Sequence, residues 1–295
     1  MQHHTTASAT QRHRDPAENQ DLDRDPSRNP GRARNHRRWA AIVPPAITIA
    51  LVLLVWQLAA DAHLVSATTL ASPAQIVSSL ADTWPDLLAA AAITTGEALW
   101  GFAISIVAGV AIGMGLYLSK TVNRALYPLL VAAQTIPIIT VAPLFIIWFG
   151  FDEPGKIILI AVFGVFSIAV ETSRGLGAVP RFYQDVALTC GAGRAWTLFH
   201  VKLRVAARQI FSGIRISAAY VFGTAVTAEY LGARNGIGVW LQGAFNSFQT
   251  PMIFSAAVVV VSETGILLAL VSLAERLLLG PADDDDAASV DESEA

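Results

Sequence analysis

Residues 181–208 read RFYQDVALTCGAGRAWTLFHVKLRVAAR, a basic run that lies between two long apolar blocks. The basic run carries several Lys and Arg side chains and a single acid, Asp185. These charges exclude it from the hydrocarbon of a membrane and place it on the cytoplasmic side. Apolar residues recur at roughly helical spacing on both sides of Gly191-Ala192-Gly193. Because glycine ends a helix at low cost, the basic run is predicted to form two short helices hinged at these residues.

The composition of the rest of the chain indicates an all-α, polytopic membrane protein. Of its 295 residues, 54% are hydrophobic and 15% are charged, far more apolar surface than one soluble core requires. The formal net charge of -3 averages a basic N-terminal region with an acidic C-terminus. The single cysteine, Cys190, excludes an intramolecular disulfide and is expected to be a half-buried bystander.

Six apolar blocks are long enough to cross a membrane as helices. They cover about 39–60, 88–117, 126–149, 157–174, 210–231 and 252–276. Pro137 and Pro143 interrupt the third block. Prolines at membrane depth persist where neighbouring helices or a water-lined cavity satisfy the freed carbonyls, so this block is predicted to face the interior of a helix bundle.

The flanking segments define three parts of the chain. We predict a disordered basic cytoplasmic tail, a transmembrane domain and a disordered acidic tail over 1–38, 39–278 and 279–295. Residues 61–86, with one short helix, and a loop that ends near Pro251 are expected on the external side. Of the 20 Lys and Arg residues, Lys156 and Arg234 are the two that fall in external loops, which predicts that both termini are cytoplasmic.

The basic run resembles the signature of the permease subunits of bacterial binding-protein-dependent ABC importers. That signature is Glu-Ala-Ala, three residues, Gly, nine residues, Ile-x-Leu-Pro. The corresponding positions here are Asp185, Val186, Ala187, Gly191, Val201, Leu203 and Arg204. Ala187, Gly191 and Leu203 match the signature. Asp185 and Val201 are conservative replacements. Val186 and Arg204 depart from it, and Arg204 stands where the signature has proline.

Further segments are similar to the nitrate/sulfonate/taurine branch of that family. They are LASPAQIV (70–77), PIITVAPLFIIWFG (137–150), AEYLGA (228–233) and GIG (236–238). The resemblance covers about 40–278. It implies the type I importer permease fold, with a cytoplasmic coupling helix-turn-helix over 177–208 that docks on a separate ATPase.

The resemblance also implies which residues couple the chain to that ATPase. They are Asp185, Ala187, Gly191, Trp196, Leu198, Phe199, Val201 and Leu203. The sequence contains no Gly-x-x-x-x-Gly-Lys-Ser/Thr loop to cradle ATP phosphates. The chain is therefore expected to be a transport subunit rather than an enzyme and to bind no cofactor itself, with ATP and Mg²⁺ on the partner.

The assembly implied by the resemblance is a homodimer in the bacterial inner membrane, with two ABC ATPase subunits and an external solute-binding protein, and without nucleic acid. The implied substrate is a small anion such as a sulfonate, taurine or nitrate. A pyrimidine vitamin precursor or riboflavin is the alternative.

Polar side chains inside the spans are the candidates for a translocation path. We single out Gln134, Thr135, Pro137, Thr140 and Glu263. For Gln134, Thr135 and Thr140, ordinary interhelical hydrogen bonds are the alternative explanation. Glu263 lies near the middle of the sixth span, where a carboxylate is expensive, so it is predicted to face the bundle interior with Arg215 as its most obvious charge partner. Glu97, Glu171 and Glu229 lie near span ends, where a structural role is expected.

Three other interpretations are weighed against the importer. The basic run could be an interfacial loop whose aromatic residues rest among lipid headgroups, but such a loop needs no glycine hinge. A secondary transporter is expected to show paired half-repeats or several buried ion-coupling groups. A membrane-embedded enzyme needs a cluster of catalytic side chains, and the sequence offers none.

Overall fold

The computed structural model describes residues 30–62, 69–150 and 152–280, and these residues form helices and connecting turns with no strand. The helices are α1 (Pro30–Asp61), α2 (Pro73–Leu118), α3 (Lys120–Ala133), α4 (Ile138–Phe149), α5 (Glu153–Ala178), α6 (Arg181–Thr189), α7 (Arg194–Thr197), α8 (Leu203–Val205), α9 (Ala207–Gly232), α10 (Ile237–Asn246) and α11 (Thr250–Leu279). A π-helical turn, Leu198–Lys202, joins α7 to α8.

Helix α1 contains the first predicted span and extends beyond it. It begins at Pro30, so residues 30–38, which were predicted as part of a disordered tail, are helical in the structure. The stretch Ile47–Asp61 is its apolar part. The rest of the predicted N-terminal tail, 1–29, and residues 281–295 of the acidic tail lie outside the described residues.

Helix α2 starts well before the predicted second span. Ser72 and Gln75 form a reciprocal capping box: the Gln75 N–H donates to Ser72 Oγ at 3.2 Å, and the Ser72 N–H donates to Gln75 Oε1 at 3.0 Å. Pro73 occupies the first turn, where its missing N–H costs nothing. The helix then continues through Pro85 to Leu118, so the short external helix expected within 61–86 is instead the first part of one long helix.

Helices α2 and α5 pack closely because glycines on α2 leave room for side chains of α5. A Cβ atom on Gly109 would lie 2.7 Å from Ile168 Cβ, and one on Gly113 would lie 2.5 Å from Thr172 Cβ. Small residues at helix contacts allow this close approach in membrane bundles. The main apolar core lies between α2, α5, α9 and α11, with Phe102, Ile168, Phe222 and Leu267 among its buried side chains.

The third predicted span is broken at one of its two prolines. Helix α3 ends at Ala133 and α4 begins after Pro137, with an angle of 103° between the two helices. Pro143 lies inside α4 without ending it. The predicted interruption at Pro137 is therefore present, whereas the one at Pro143 is absent.

The predicted loop between the last two spans contains a ten-residue helix, α10, which packs against α9 and α11. Among the described residues, four helices are long and apolar enough to span a membrane, α2, α5, α9 and α11, and the bent α3–α4 pair makes up to five. The predicted all-helical, multi-pass fold is confirmed. The count of six spans stays a prediction, because it requires both that α1 crosses the membrane and that the bent α3–α4 pair forms one span.

Candidate functional site

The basic run folds as two short helical segments joined at Gly191, as the hinge prediction required. Helix α6 ends in a Schellman turn: the Ala192 N–H donates to the Ala187 carbonyl at 3.0 Å, and the Gly191 N–H donates to the Leu188 carbonyl at 3.0 Å. Gly191 has a φ of 88°, a left-handed conformation that side chains disfavour. Ala187 and Gly191 therefore shape the turn, whatever docks on it.

One face of this helix-turn-helix is apolar and exposed. Phe182 and Tyr183 of α6 are 70% and 46% exposed, and Trp196 and Phe199 beyond the hinge are 51% and 56% exposed. The Trp196 ring stacks on His200, with ring centroids 4.6 Å apart. Such a concentration of exposed aromatic residues is typical of a surface that binds a partner.

A groove of about 690 Å³ runs between the two segments. Its lining includes Val186, Ala187, Cys190, Gly191, Trp196 and Val201. Cys190 is exposed rather than half-buried, contrary to expectation. Asp185 is exposed and Leu203 is half-buried.

Leu198 points the other way. It is 9% exposed and belongs to the main apolar core of the bundle, so its side chain supports the exposed face from below and is not part of it. Lys202 is also buried, and its Nζ donates to Tyr117 Oη at the end of α2. The second segment is thus attached to the bundle through one face and leaves Trp196 and Phe199 on the other.

Three of the five translocation candidates line one cavity of about 410 Å³ at the break between α3 and α4. Gln134, Thr135 and Pro137 face α5 and α9 across it. Its other polar lining residues are Ser167, Ser217, Tyr220 and Thr224. Ser217 Oγ is buried and has no hydrogen-bond partner among the described residues. Gln134 and Tyr220 are exposed, so their amide and hydroxyl groups can donate hydrogen bonds to a solute, and no residue of the lining is charged.

Thr140 and Glu263 lie outside this cavity. The Thr95 Oγ1 of α2 donates to Glu263 Oε1 at 2.9 Å, so Glu263 turns toward a neighbouring helix of the bundle. The proposed pairing of Glu263 with Arg215 is wrong: Arg215 Nη1 lies 3.1 Å from Glu275 Oε2, three turns further along α11. The translocation role of these residues stays a prediction.

A second polar cluster joins α2, α9 and α10, and its contacts were not predicted. The Gly238 N–H donates to Glu229 Oε2 at 2.8 Å, Thr94 Oγ1 donates to Glu229 Oε1 at 2.8 Å, and the Ile237 N–H donates to Thr94 Oγ1 at 2.9 Å. Glu229 is 1% exposed. The carboxylate thereby satisfies the N-terminus of α10, where negative charge is favoured. In the sequence, segments 228–233 and 236–238 both resemble the nitrate/sulfonate/taurine branch, but this resemblance predicted no contact between them.

Glu97 and Lys156 form an ion pair between α2 and α5, with side chains 3% and 8% exposed. Lys156 had been assigned to an external loop, but it lies in the first turns of α5 and is buried. A buried lysine at a span end needs such a partner. Within the described residues there is no group of three or more His, Cys, Asp or Glu side chains that could hold a metal ion.

The described residues form a bundle of long apolar helices, with a basic helix-turn-helix that exposes aromatic side chains between α5 and α9. The family model for the binding-protein-dependent transport system inner membrane component matches residues 101–279. The chain belongs to this family, and it is the transmembrane permease subunit of an ABC importer.

Several curated permeases are similar over most of their length. The chain is 30% identical to the formylaminopyrimidine transport permease protein of Halalkalibacterium halodurans, over 80% of this chain and 94% of the relative. It is 32% identical to the riboflavin transport system permease protein of Chloroflexus aurantiacus, over 82% and 90%. It is 30% identical to a putative aliphatic sulfonates transport permease protein of Bacillus subtilis, over 85% and 90%. Taurine and nitrate permeases are among the further matches, as the predicted branch requires.

Solved structures support the fold. The inward-facing MetNI methionine ABC transporter matches with a TM-score of 0.57 and 18% sequence identity, over 67% of this chain and 96% of the matched chain. At this identity the match shows the type I importer permease fold and nothing about the solute.

Proposed function

We propose that the chain works as a homodimer with two cytoplasmic ABC ATPase subunits and an external solute-binding protein. The observation that carries this proposal is the exposed apolar face of the basic run, formed by Phe182, Tyr183, Trp196 and Phe199. A face of this kind in water requires a protein partner. ATP and Mg²⁺ are bound by that partner, since the sequence of this chain has no phosphate-binding loop.

The need for two copies follows from the basic run and from α4. One chain supplies one basic run, whereas two ATPases closing on ATP need one docking surface each. Ile139, Ile147 and Trp148 of α4 are 61%, 76% and 64% exposed beside the broken span. A second copy related by twofold symmetry would cover part of this face and complete the wall of the 410 Å³ cavity.

Both termini are cytoplasmic in this proposal. The basic run, Lys120 and Arg124 then lie on the cytoplasmic side together with the arginines that precede the first apolar block. Lys156 is neutralised by Glu97, so it does not oppose this orientation.

The solute is a small organic or inorganic anion of the sulfonate, taurine or nitrate type. The Gln134 amide and the Tyr220 hydroxyl, which line the cavity, would donate to its oxygens in passage. Neutral donors hold an anion weakly, which suits a pathway that must release it. The second candidate is a heterocyclic vitamin precursor, favoured by the absence of charge among the residues lining the cavity and by the formylaminopyrimidine and riboflavin relatives.

Uptake by cells that express the complete transporter separates the two candidates. Accumulation of taurine or nitrate that stops in the double variant Gln134→Leu/Tyr220→Phe supports the anion. Accumulation of formylaminopyrimidine or riboflavin instead would overturn the anion and establish the second candidate.

The coupling assignment is tested with a matched pair of glycines. In Gly191→Val, a β-branched residue must adopt a φ of 88°, which costs about 1–3 kcal/mol and distorts the turn. Gly193 has a φ of -71° and open space around its Cβ position, so Gly193→Val is the control. We expect Gly191→Val, and the double variant Trp196→Asp/Phe199→Asp, to insert in the membrane but lose the ATPase in co-purification. Undiminished ATPase recovery with both variants would contradict the assignment.

A further inference from the structure

A second basic site lies where α2, α3 and α5 meet, apart from the basic run. Lys120, Arg124 and Arg174 line a cavity of about 400 Å³ together with Tyr117 and Asn123. The transport mechanism described above makes no use of this cavity.

Among the described residues, no acidic side chain pairs with Lys120 or Arg124 of this cavity. Within the described ranges, neither Lys120 nor Arg124 has an ion pair or side-chain hydrogen bond. Arg174 Nη1 lies 2.9 Å from Glu171 Oε1, and the other oxygen of Glu171 accepts from Gln209. Within this part of the chain, two cations of a concave site therefore have no counter-charge.

The walls of the cavity are held in place by contacts between the three helices. Asn123 Nδ2 donates to Ser173 Oγ at 3.0 Å, which fixes α3 against α5. A single residue, Ser119, separates α2 from α3, and its hydroxyl accepts from the Val122 N–H at 3.4 Å. The cations consequently project from a fixed corner and not from a loose loop.

Exposed apolar side chains continue from the cavity along the bundle. Leu118, Val122 and Leu126 are 67%, 40% and 45% exposed, and α3 has no buried residue. The site thus combines two unpaired cations in the first turns of α3 with an apolar surface on the neighbouring turns. This is the pattern of a phospholipid, whose charged headgroup adjoins apolar chains.

We propose that this cavity binds a phosphate-type oxyanion through Lys120, Arg124 and Arg174, supplied by the headgroup of an anionic phospholipid or by a free phosphate. Basic pockets between transmembrane helices bind anionic headgroups, and guanidinium groups match the geometry of phosphate oxygens. The apolar surface beside the cations favours the lipid as the source. A bound lipid would fix the corner between α2 and α3, close to Tyr117 and therefore to Lys202 of the basic run.

Native mass spectrometry of the full chain tests the proposal, with phosphatidylglycerol or phosphatidylcholine added to the detergent. We expect wild-type protein to retain phosphatidylglycerol selectively. Lys120→Gln/Arg124→Gln should weaken retention about 25-fold, since each cation near an anionic surface contributes about a fivefold factor. Arg276→Gln, which removes an exposed charge from the end of α11, is the matched control and should retain the lipid.

Two further measurements distinguish a bound lipid from free phosphate, and loss of charge from misfolding. If inorganic phosphate raises the thermal midpoint of the wild type but not of the double variant, while phosphatidylglycerol is not retained, free phosphate is the ligand. The charge-conserving Lys120→Arg/Arg124→Lys should bind as the wild type does, which separates loss of charge from misfolding. Equal retention of both lipids, or unchanged retention by the double variant with no response to phosphate, overturns the proposal.

Discussion

The contact between α9 and α10 allows a sharp test, Gly238→Ala. A Cβ atom at this position would lie 2.5 Å from Glu229 Cβ and 2.6 Å from the backbone N of Tyr230. Backbone atoms inside a helix cannot move aside cheaply, so overpacking costs about 2 kcal/mol. Displacement of α10 also removes the bond from the Gly238 N–H to the Glu229 carboxylate, worth about 2 kcal/mol. Alanine regains about 1 kcal/mol of helix propensity, which leaves a loss of about 3 kcal/mol.

The thermal midpoint of the purified chain in detergent measures this loss. About 3 kcal/mol corresponds to a decrease of about 10 °C for a bundle of this size. Gly243 lies on the same helix with nothing within 4 Å of its Cβ position, so Gly243→Ala is the matched control and should leave the midpoint unchanged or slightly raised. A Gly238→Ala variant as stable as the wild type would refute the packing of α10 against Glu229.

The remaining predictions concern α2 and α5. Lys156→Met leaves the Glu97 carboxylate buried without its partner and should destabilise the chain by about 3–5 kcal/mol, measured by thermal unfolding, whereas Lys156→Met combined with Glu97→Leu should recover most of the loss. Equal stability of the single and double variants would contradict the pairing. Gly113→Ala places a Cβ 2.5 Å from Thr172 Cβ and should lower the free energy of unfolding by about 2 kcal/mol. Gly115→Ala, in open space on the same helix, is the control and should leave it unchanged. Similar losses of stability in both variants would exclude the close contact between α2 and α5.

Periodic and compositional signals in the sequence explain much of the fold. The apolar blocks that gave the last three predicted spans correspond to α5, α9 and α11, with ends that differ by a few residues. The hinge of the basic run was predictable because it depends on local sequence alone: Gly191 supplies the left-handed residue of the Schellman turn that ends α6. The break at Pro137 was predictable for the same kind of reason.

Long-range contacts were beyond the reach of local patterns. Arg215 was matched to Glu263 because both are charges within spans, but only the packing of α9 on α11 brings it to Glu275 instead. Glu229 looked like a residue at a span end, since nothing in the sequence reveals that α10 folds back so that its N-terminus meets the carboxylate. Leu198 has the same periodicity as its exposed neighbours, and only its packing against the bundle distinguishes it from them.

In the proposed assembly, the basic run faces the cytoplasm and is covered by an ATPase. The chain has one cysteine, Cys190, which is exposed in the groove of the basic run and so is a native probe of this surface. Labelling with a membrane-impermeant maleimide, in oriented vesicles with and without the ATPase subunits, measures both which side of the membrane Cys190 faces and whether the ATPase covers it. We expect labelling from the cytoplasmic side and strong protection when the ATPase is present; labelling from the external side, or a rate that the ATPase leaves unchanged, would contradict the account.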